Sequence, residues 1–194
     1  MCSRIQKLTV VLASASPRRT ELLEQGNIKH VVMPSHCEEV ITSQVPSQVV
    51  EELSAQKAED VYQQYEKKNA GDFLVIGSDT VVAADGKILG KPKDKEEAYQ
   101  MISMLQGKAH QVYTGVTLLI KKDGKRSGRH FMNAVMCMYI RCARKKSGNI
   151  LQQESRWTRQ EPTGSRVHLA CISVGLKAII IRSWVFLLRE FIRK

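Results

Sequence analysis

Cysteine is scarce: the 194 residues hold five (Cys2, Cys37, Cys137, Cys142, Cys171), an odd number with no repeated C-x-x-C spacing. Reduced thiols are therefore expected, and a disulfide framework or a zinc ribbon is not. Long apolar runs are missing as well. Met1 to Lys7 is polar, and Leu8 to Ala13 is too short for a secretory signal or a membrane span, so a cytoplasmic protein is expected. Acidic residues are short in one region only. Residues 1–131 carry 18 Lys and Arg against 16 Asp and Glu, whereas residues 132–194 carry 12 against 3, and together these give the net charge of +11. The excess sits in the tail, which argues against a nucleic-acid or membrane surface spread over the whole chain. What remains is enough sequence for one α/β domain with a real core, or two small lobes.

The stretch Val10 to Leu23, VVLASASPRRTELL, organises the rest. Val10, Val11 and Leu12 form a short buried strand, and Ala13-Ser14-Ala15 leaves no bulk between backbone and ligand. Ser16 is a good N-cap, Pro17 suits the first helical position, and Leu22-Leu23 begin the packed face. A helix N-terminus so placed favours an anion, and Arg18 and Arg19 add forked donors matched to phosphate oxygens. A strand, turn and helix with a Ser-Pro start is also ordinary architecture, so the pattern alone leaves phosphate binding and plain packing both open.

Further along, Ile28 to Met33 reads as a second strand, followed by Glu38-Glu39, either a metal-holding pair or two solvated loop acids. Pro46-Ser47 opens a helix through Tyr65 that carries Lys57. Phe73 to Ile76 is a buried strand ending in Gly77-Ser78-Asp79-Thr80, which puts an acid at a strand's carboxyl end, where α/β sheets commonly place chemistry. Asp85-Gly86 is a hairpin turn, Gly90-Lys91-Pro92 a constrained loop bearing a lysine, and Asp94 to Leu105 an amphipathic helix with Ala98, Ile102 and Leu105 inward, ended by Gly107. Gln111 to Ile120 is a long strand, and Lys121 to Gly128 a charged turn. Two arginines, two lysines and acids at Glu39 and Asp79 make an inventory suited to cleaving a polyphosphate.

The run S-x-S-P-R-R-x-E-L-L near the amino end resembles the signature of the Maf (septum formation protein) family of nucleoside triphosphate pyrophosphatases, and the likeness continues to about Phe131. The resemblance implies a mixed, twisted sheet flanked by helices with a central cleft, as in the related inosine triphosphate pyrophosphatases. It implies that Ser14, Arg18 and Arg19 bind phosphate and that Thr80 lies on the substrate. By the same likeness Glu39 and Asp79 hold a divalent ion, magnesium or manganese, with Asp79 also the base, and Lys57 and Lys91 assist as catalytic lysines. Family members cut a nucleoside triphosphate between its α and β phosphates and are often homodimers. Arg18 after Pro17 and Thr80 after Asp79 are similar to the dTTP/UTP subgroup; the 7-methyl-GTP subgroup tends to carry tryptophan and glutamine there.

Beyond Phe131 the family's E-R-x-D-V strand, A-G-A-Y-x-I-Q-G loop and G-D-Y-x-x-V-V-G-x-P segment are absent. We read this as a single-base frameshift. Permitted codons read two bases later turn Met132 to Tyr139 into ERSDVYVY and Gln152 to Val167 into TGEPMDKAGAYGIQG. The chain thus divides into a core, 1–131, and a basic tail, 132–194; Cys137-x4-Cys142 with His130, His168 and Cys171 fits no zinc spacing. Ile172 to Ile192 could lie on an anionic membrane, and Trp184 to Leu187 are expected to be exposed. Two other readings stay open: a non-catalytic nucleotide-binding remnant, and a nucleic-acid- or membrane-binding protein organised by the tail.

Overall fold

Six strands and three helices make up the computed structural model, which describes residues 8–90, 92–105 and 108–138. The expectations for Lys91, for Gly107, for Cys142, His168 and Cys171 of the metal-ligand pattern, for the tail's amphipathic segment, and for the motifs expected of a frameshift beyond Met138 lie outside these residues; His130 and Cys137 lie within them. In chain order the elements are β1 (Thr9–Leu12), α1 (Pro17–Gln25), β2 (His30–Val32), α2 (Pro46–Glu66), β3 (Phe73–Ala84), β4 (Lys87–Leu89), α3 (Lys95–Leu105), β5 (Ala109–Lys122) and β6 (Lys125–Met138).

The sheet is mixed, in the order β2-β1-β3-β5-β6, with β4 also on β3. β1 runs parallel to β2 and β3, while β3, β5 and β6 alternate in direction. Alternating residues of β1 and β3 feed two cores. Val10, Leu12, Leu74 and Ile76 meet Leu23 of α1 on one face, and Val11, Phe73 and Val75 meet Ala58, Val61 and Tyr62 of α2 on the other. Such a two-faced strand needs a continuous apolar run, which Phe73 to Ile76 supplies.

One edge of β3 is shared between two short strands. β1 covers Phe73 to Ile76 and β4 covers Val82 to Ala84. Among the described residues no strand covers that edge between them, and this notch contains Asp79.

Three sequence readings need correcting. Asp79 is not at the end of its strand, because β5 pairs β3 without a break from Phe73 to Ala83 and carries the ladder through Gly77-Ser78-Asp79-Thr80. It lies instead three residues past Ile76, the residue opposite the carboxyl end of the neighbouring β1. Lys121 to Gly128 is not a broad charged turn. Asp123-Gly124, at φ 50° and 73°, makes a two-residue hairpin, and β6 starts at Lys125 and pairs across position 131 to Met138. Asp85-Gly86 does the same at φ 49° and 74°; both dipeptides accept the paired left-handed conformation that a tight hairpin requires. The second strand is shorter than Ile28 to Met33, since only His30 to Val32 pair with β1.

Side chains cap the start of helix α3. Asp94 accepts the Glu97 amide at 2.7 Å, and Glu97 returns to the Lys93 amide at 2.6 Å. Ala98 and Leu105 are buried as expected; the Ile102 side chain is outside the described set.

His110, near the start of β5, is 2 % exposed. Burial pushes its imidazole below the ordinary value of 6.5, and the Lys108 backbone hydrogen bond opposes this only in part. The folded chain therefore binds this proton more weakly than the unfolded chain does. The contribution to stability is fully present well above pH 6.5 and is lost as the pH falls through 6.5 toward the folded value. The thermal midpoint, followed from pH 8 to pH 5, should fall on the acid side, and His110→Gln should flatten that limb. An unchanged slope in the variant would rule out His110 as its source.

Candidate active site

Helix α1 begins where the sequence puts it, but Ser16 caps with its backbone only. Its carbonyl accepts from the Arg19 and Thr20 amides, and its side chain makes no cap bond. Ser14 takes over the turn. Its Oγ accepts the Ser16 amide at 3.2 Å and an Arg19 guanidinium N–H at 2.6 Å. One hydroxyl thus fixes both the tight Ala13-Ser14-Ala15 corner and the arginine above the helix start. Arg18 is half-buried in the first turn beside it. The corner has the positive charge and forked donors that phosphate oxygens need.

On the opposite face of the sheet, α2 brings Lys57 to Asp79. The Nζ donates to Asp79 Oδ1 in a short ion pair and reaches Glu39 Oε1 at 2.9 Å. Lys57 and Asp79 side chains are 16 % and 15 % exposed, and Glu39 is 41 % exposed. The cluster is open to solvent from the Glu39 side. Burial pulls the Lys57 ammonium down, but the charge and hydrogen bond of Asp79, then those of Glu39, outweigh it and hold the group above its ordinary value of 10.5. Lys57 is therefore a firm cation at neutral pH.

The approach of α2 is made possible by two glycines. Asp79 faces Gly115 across the β3–β5 ladder, and a Cβ on Gly115 would run into the Val50 carbonyl oxygen. At Gly77 it would strike the Ser54 carbonyl oxygen and come within 2.7 Å of Ala58 Cβ. With no side chain at either position, the helix backbone lies against the sheet beside the acid. Below the site, Ser54 Oγ and Thr117 Oγ1 join helix to sheet at 2.9 Å.

Of the residues expected from sequence, the structure joins Lys57, Glu39 and Asp79 in one cluster and Ser14 and Arg19 in a second. Thr80 does not share a face with Asp79. Strand alternation turns it to the α1 side, where it is exposed and bonds Thr114 Oγ1 at 3.1 Å.

Sequence reasoning missed what holds Glu39. It sits in an irregular segment between β2 and α2, and three side chains of α2 at four-residue spacing grip that segment. Asp60 Oδ2 accepts the Ser35 hydroxyl at 2.7 Å and the His36 amide at 3.0 Å. Gln56 accepts the Val40 amide at 3.0 Å and donates to the Val40 carbonyl. Glu52 accepts the Thr42 amide at 3.0 Å and its hydroxyl at 2.6 Å. Burial raises the Asp60 carboxyl, but the bonds from Ser35, Gln64 and His36 leave it below its ordinary value. The one signal in the sequence is polar residues at 52, 56 and 60, a single stripe of the helix.

A divalent ion would find suitable donors here. Glu39 and Asp79 already converge on one cation, the Lys57 ammonium, and hard carboxylate oxygens are what magnesium or manganese takes. Among the described residues no group of three or more His, Cys, Asp and Glu side chains that could hold a metal ion is found. Nor, among the same residues, is any helix long and apolar enough to cross a membrane.

The family described as Maf-like protein matches residues 9–155. A dTTP/UTP pyrophosphatase of Agathobacter rectalis is 54 % identical over 129 residues, 62 % of this chain and 63 % of that protein. One from Lachnoclostridium phytofermentans is 47 % identical over 114 residues, 59 % of this chain and 56 % of the relative. Another, from Ruminiclostridium cellulolyticum, is 48 % identical over 112 residues, 57 % and 55 % respectively. The chain thus spans less than two thirds of the length of these curated relatives.

Proposed function

The chain belongs to the Maf-like protein family, and we propose that it hydrolyses nucleoside triphosphates, dTTP and UTP foremost, to the monophosphate and pyrophosphate. The observation that carries this reading is the Lys57 ammonium held between Asp79 and Glu39 in the notch of the sheet. The names of the relatives supply the substrate class.

In this mechanism Ser14, Arg18 and Arg19 hold the terminal phosphates and neutralise charge that gathers on them as the bond breaks. Asp79 orients a water on the α-phosphorus and accepts its proton. The water oxygen forms the new bond to phosphorus, the bond to the α–β bridging oxygen breaks, and pyrophosphate departs with that electron pair. Lys57 keeps Asp79 and Glu39 close despite their like charge, and Lys91 and Thr80 add contacts to the substrate. Glu39 and Asp79 would hold a magnesium or manganese ion, which when bound supplies Lewis-acid stabilisation of the phosphate oxygens. We further propose a cytoplasmic enzyme, working as a homodimer, with no nucleic-acid or membrane partner.

The test is release of pyrophosphate, and not orthophosphate, from dTTP and UTP with magnesium or manganese, on this chain and on one with the frame restored after Phe131. Turnover by both means that the part written before the break suffices. Turnover by the restored chain alone assigns the missing function to residues 132–194. Orthophosphate as the product, or no product from either, rejects the reading.

A further inference from the structure

We propose that Gln56, flanked by Glu52 and Asp60, positions Glu39 for the metal, so that helix α2 acts as one template for both the cation Lys57 and the carboxylate it meets. The inference rests on the metal-dependent reading above. Its geometry does not. The segment that carries Glu39 has no hydrophobic anchor near the acid: Val40 and Ile41 are each 55 % exposed. What fixes it is main chain to side chain bonding, from His36 to Asp60 on one side of Glu39 and from Val40 and Thr42 to Gln56 and Glu52 on the other. Gln56 matters most because it pairs both backbone groups of Val40, the residue next to Glu39, and because it precedes Lys57 in the helix. A rotation or lift of the segment would carry Glu39 away from Asp79 and leave one carboxylate where two are needed.

The experiment uses the full chain and two variants. Gln56→Met keeps the length of the side chain and removes both bonds; Thr42→Val removes the Thr42 hydroxyl bond from the loop side, at an exposed position that leaves α2 intact. Binding of Mn²⁺ alone is measured by calorimetry, and exchange of the Val40 amide by NMR. The magnesium concentration for half-maximal turnover is compared with KM for UTP at saturating metal. The expected result for Gln56→Met is a Mn²⁺ Kd raised about tenfold, within the range for lost outer-shell support, with a parallel rise in half-activating magnesium, faster Val40 exchange and recovery of kcat at high metal. Thr42→Val should show the same changes at smaller size. Faster exchange at Val40 with Mn²⁺ affinity unchanged overturns the proposal, as does a wild-type chain that binds no Mn²⁺. Metal binding weakened by Gln56→Met in a chain without turnover upholds the positioning role and rejects the hydrolase reading instead.

Discussion

Asp79→Asn should reduce kcat/KM for UTP by about 10²–10⁴-fold, the range general-base participation covers, with KM little changed. Asparagine keeps the shape of the side chain and an oxygen for Lys57, so the fold survives; it loses the charge and the capacity to take a proton from water. The remaining bond is weaker. Lys57 is largely buried and would then face Glu39 as its one carboxylate in the cluster, for a stability loss of about 1.5–3 kcal/mol, as for hydrogen bonds to charged groups. Pyrophosphate release and urea unfolding on the same sample separate the two effects. Activity above a tenth of wild type in Asp79→Asn would remove Asp79 from the chemistry and leave it a structural partner of Lys57.

The second large effect is on packing. Gly77→Ala and Gly115→Ala should each destabilise by about 3 kcal/mol or more, at or beyond the upper end of overpacked cores, because the obstruction is helix backbone. The Ser54 carbonyl oxygen and the Ala58 amide meet a Cβ at position 77, and the Val50 carbonyl meets one at position 115. Neither can rotate out of the way, so α2 must lift. Since α2 also carries Lys57 and the residues that grip the Glu39 segment, activity should fall further than the loss of folded protein accounts for. Gly90→Ala is the control, with nothing within 4 Å of its added carbon and an expected change of within about 0.5 kcal/mol. If the three alanine variants unfold at the same urea concentration, α2 does not lie as close to the sheet as described.

Much of this fold is legible locally. Ser-Pro and Pro-Ser openings placed the starts of α1 and α2, since proline at the first helical position gives up no hydrogen bond. Asp85-Gly86 announced its hairpin. Asp123-Gly124 carries the same signal, but the lysines and arginines around it resemble a solvated loop more than two strands. Gly77-Ser78 looks like the end of a strand in the sequence, yet β5 supplies partners straight through, and the glycine serves a helix on another layer. Contacts that span layers leave little local trace. Lys57, one lysine on a long helix, carried no mark of its own, and family resemblance alone singled it out. The bonds from Glu52, Gln56 and Asp60 join residues 10 to 25 positions apart through an irregular segment, where no periodicity could foretell the match.

Among the described residues, the two margins of the sheet are unlike. At one side its margin consists of β2 and β4, three residues each, too short to template another strand. At the other, β6 offers fourteen residues with β5 as its sole partner among those described. That margin is uneven along its length. Lys125, Arg126 and Arg129 give the first half the charge that discourages strand addition, while Met132 is 40 % exposed and the sequence from Met132 to Met138 bears no charge at all. The charge that guards an exposed edge is thus confined to the half of β6 nearest its hairpin.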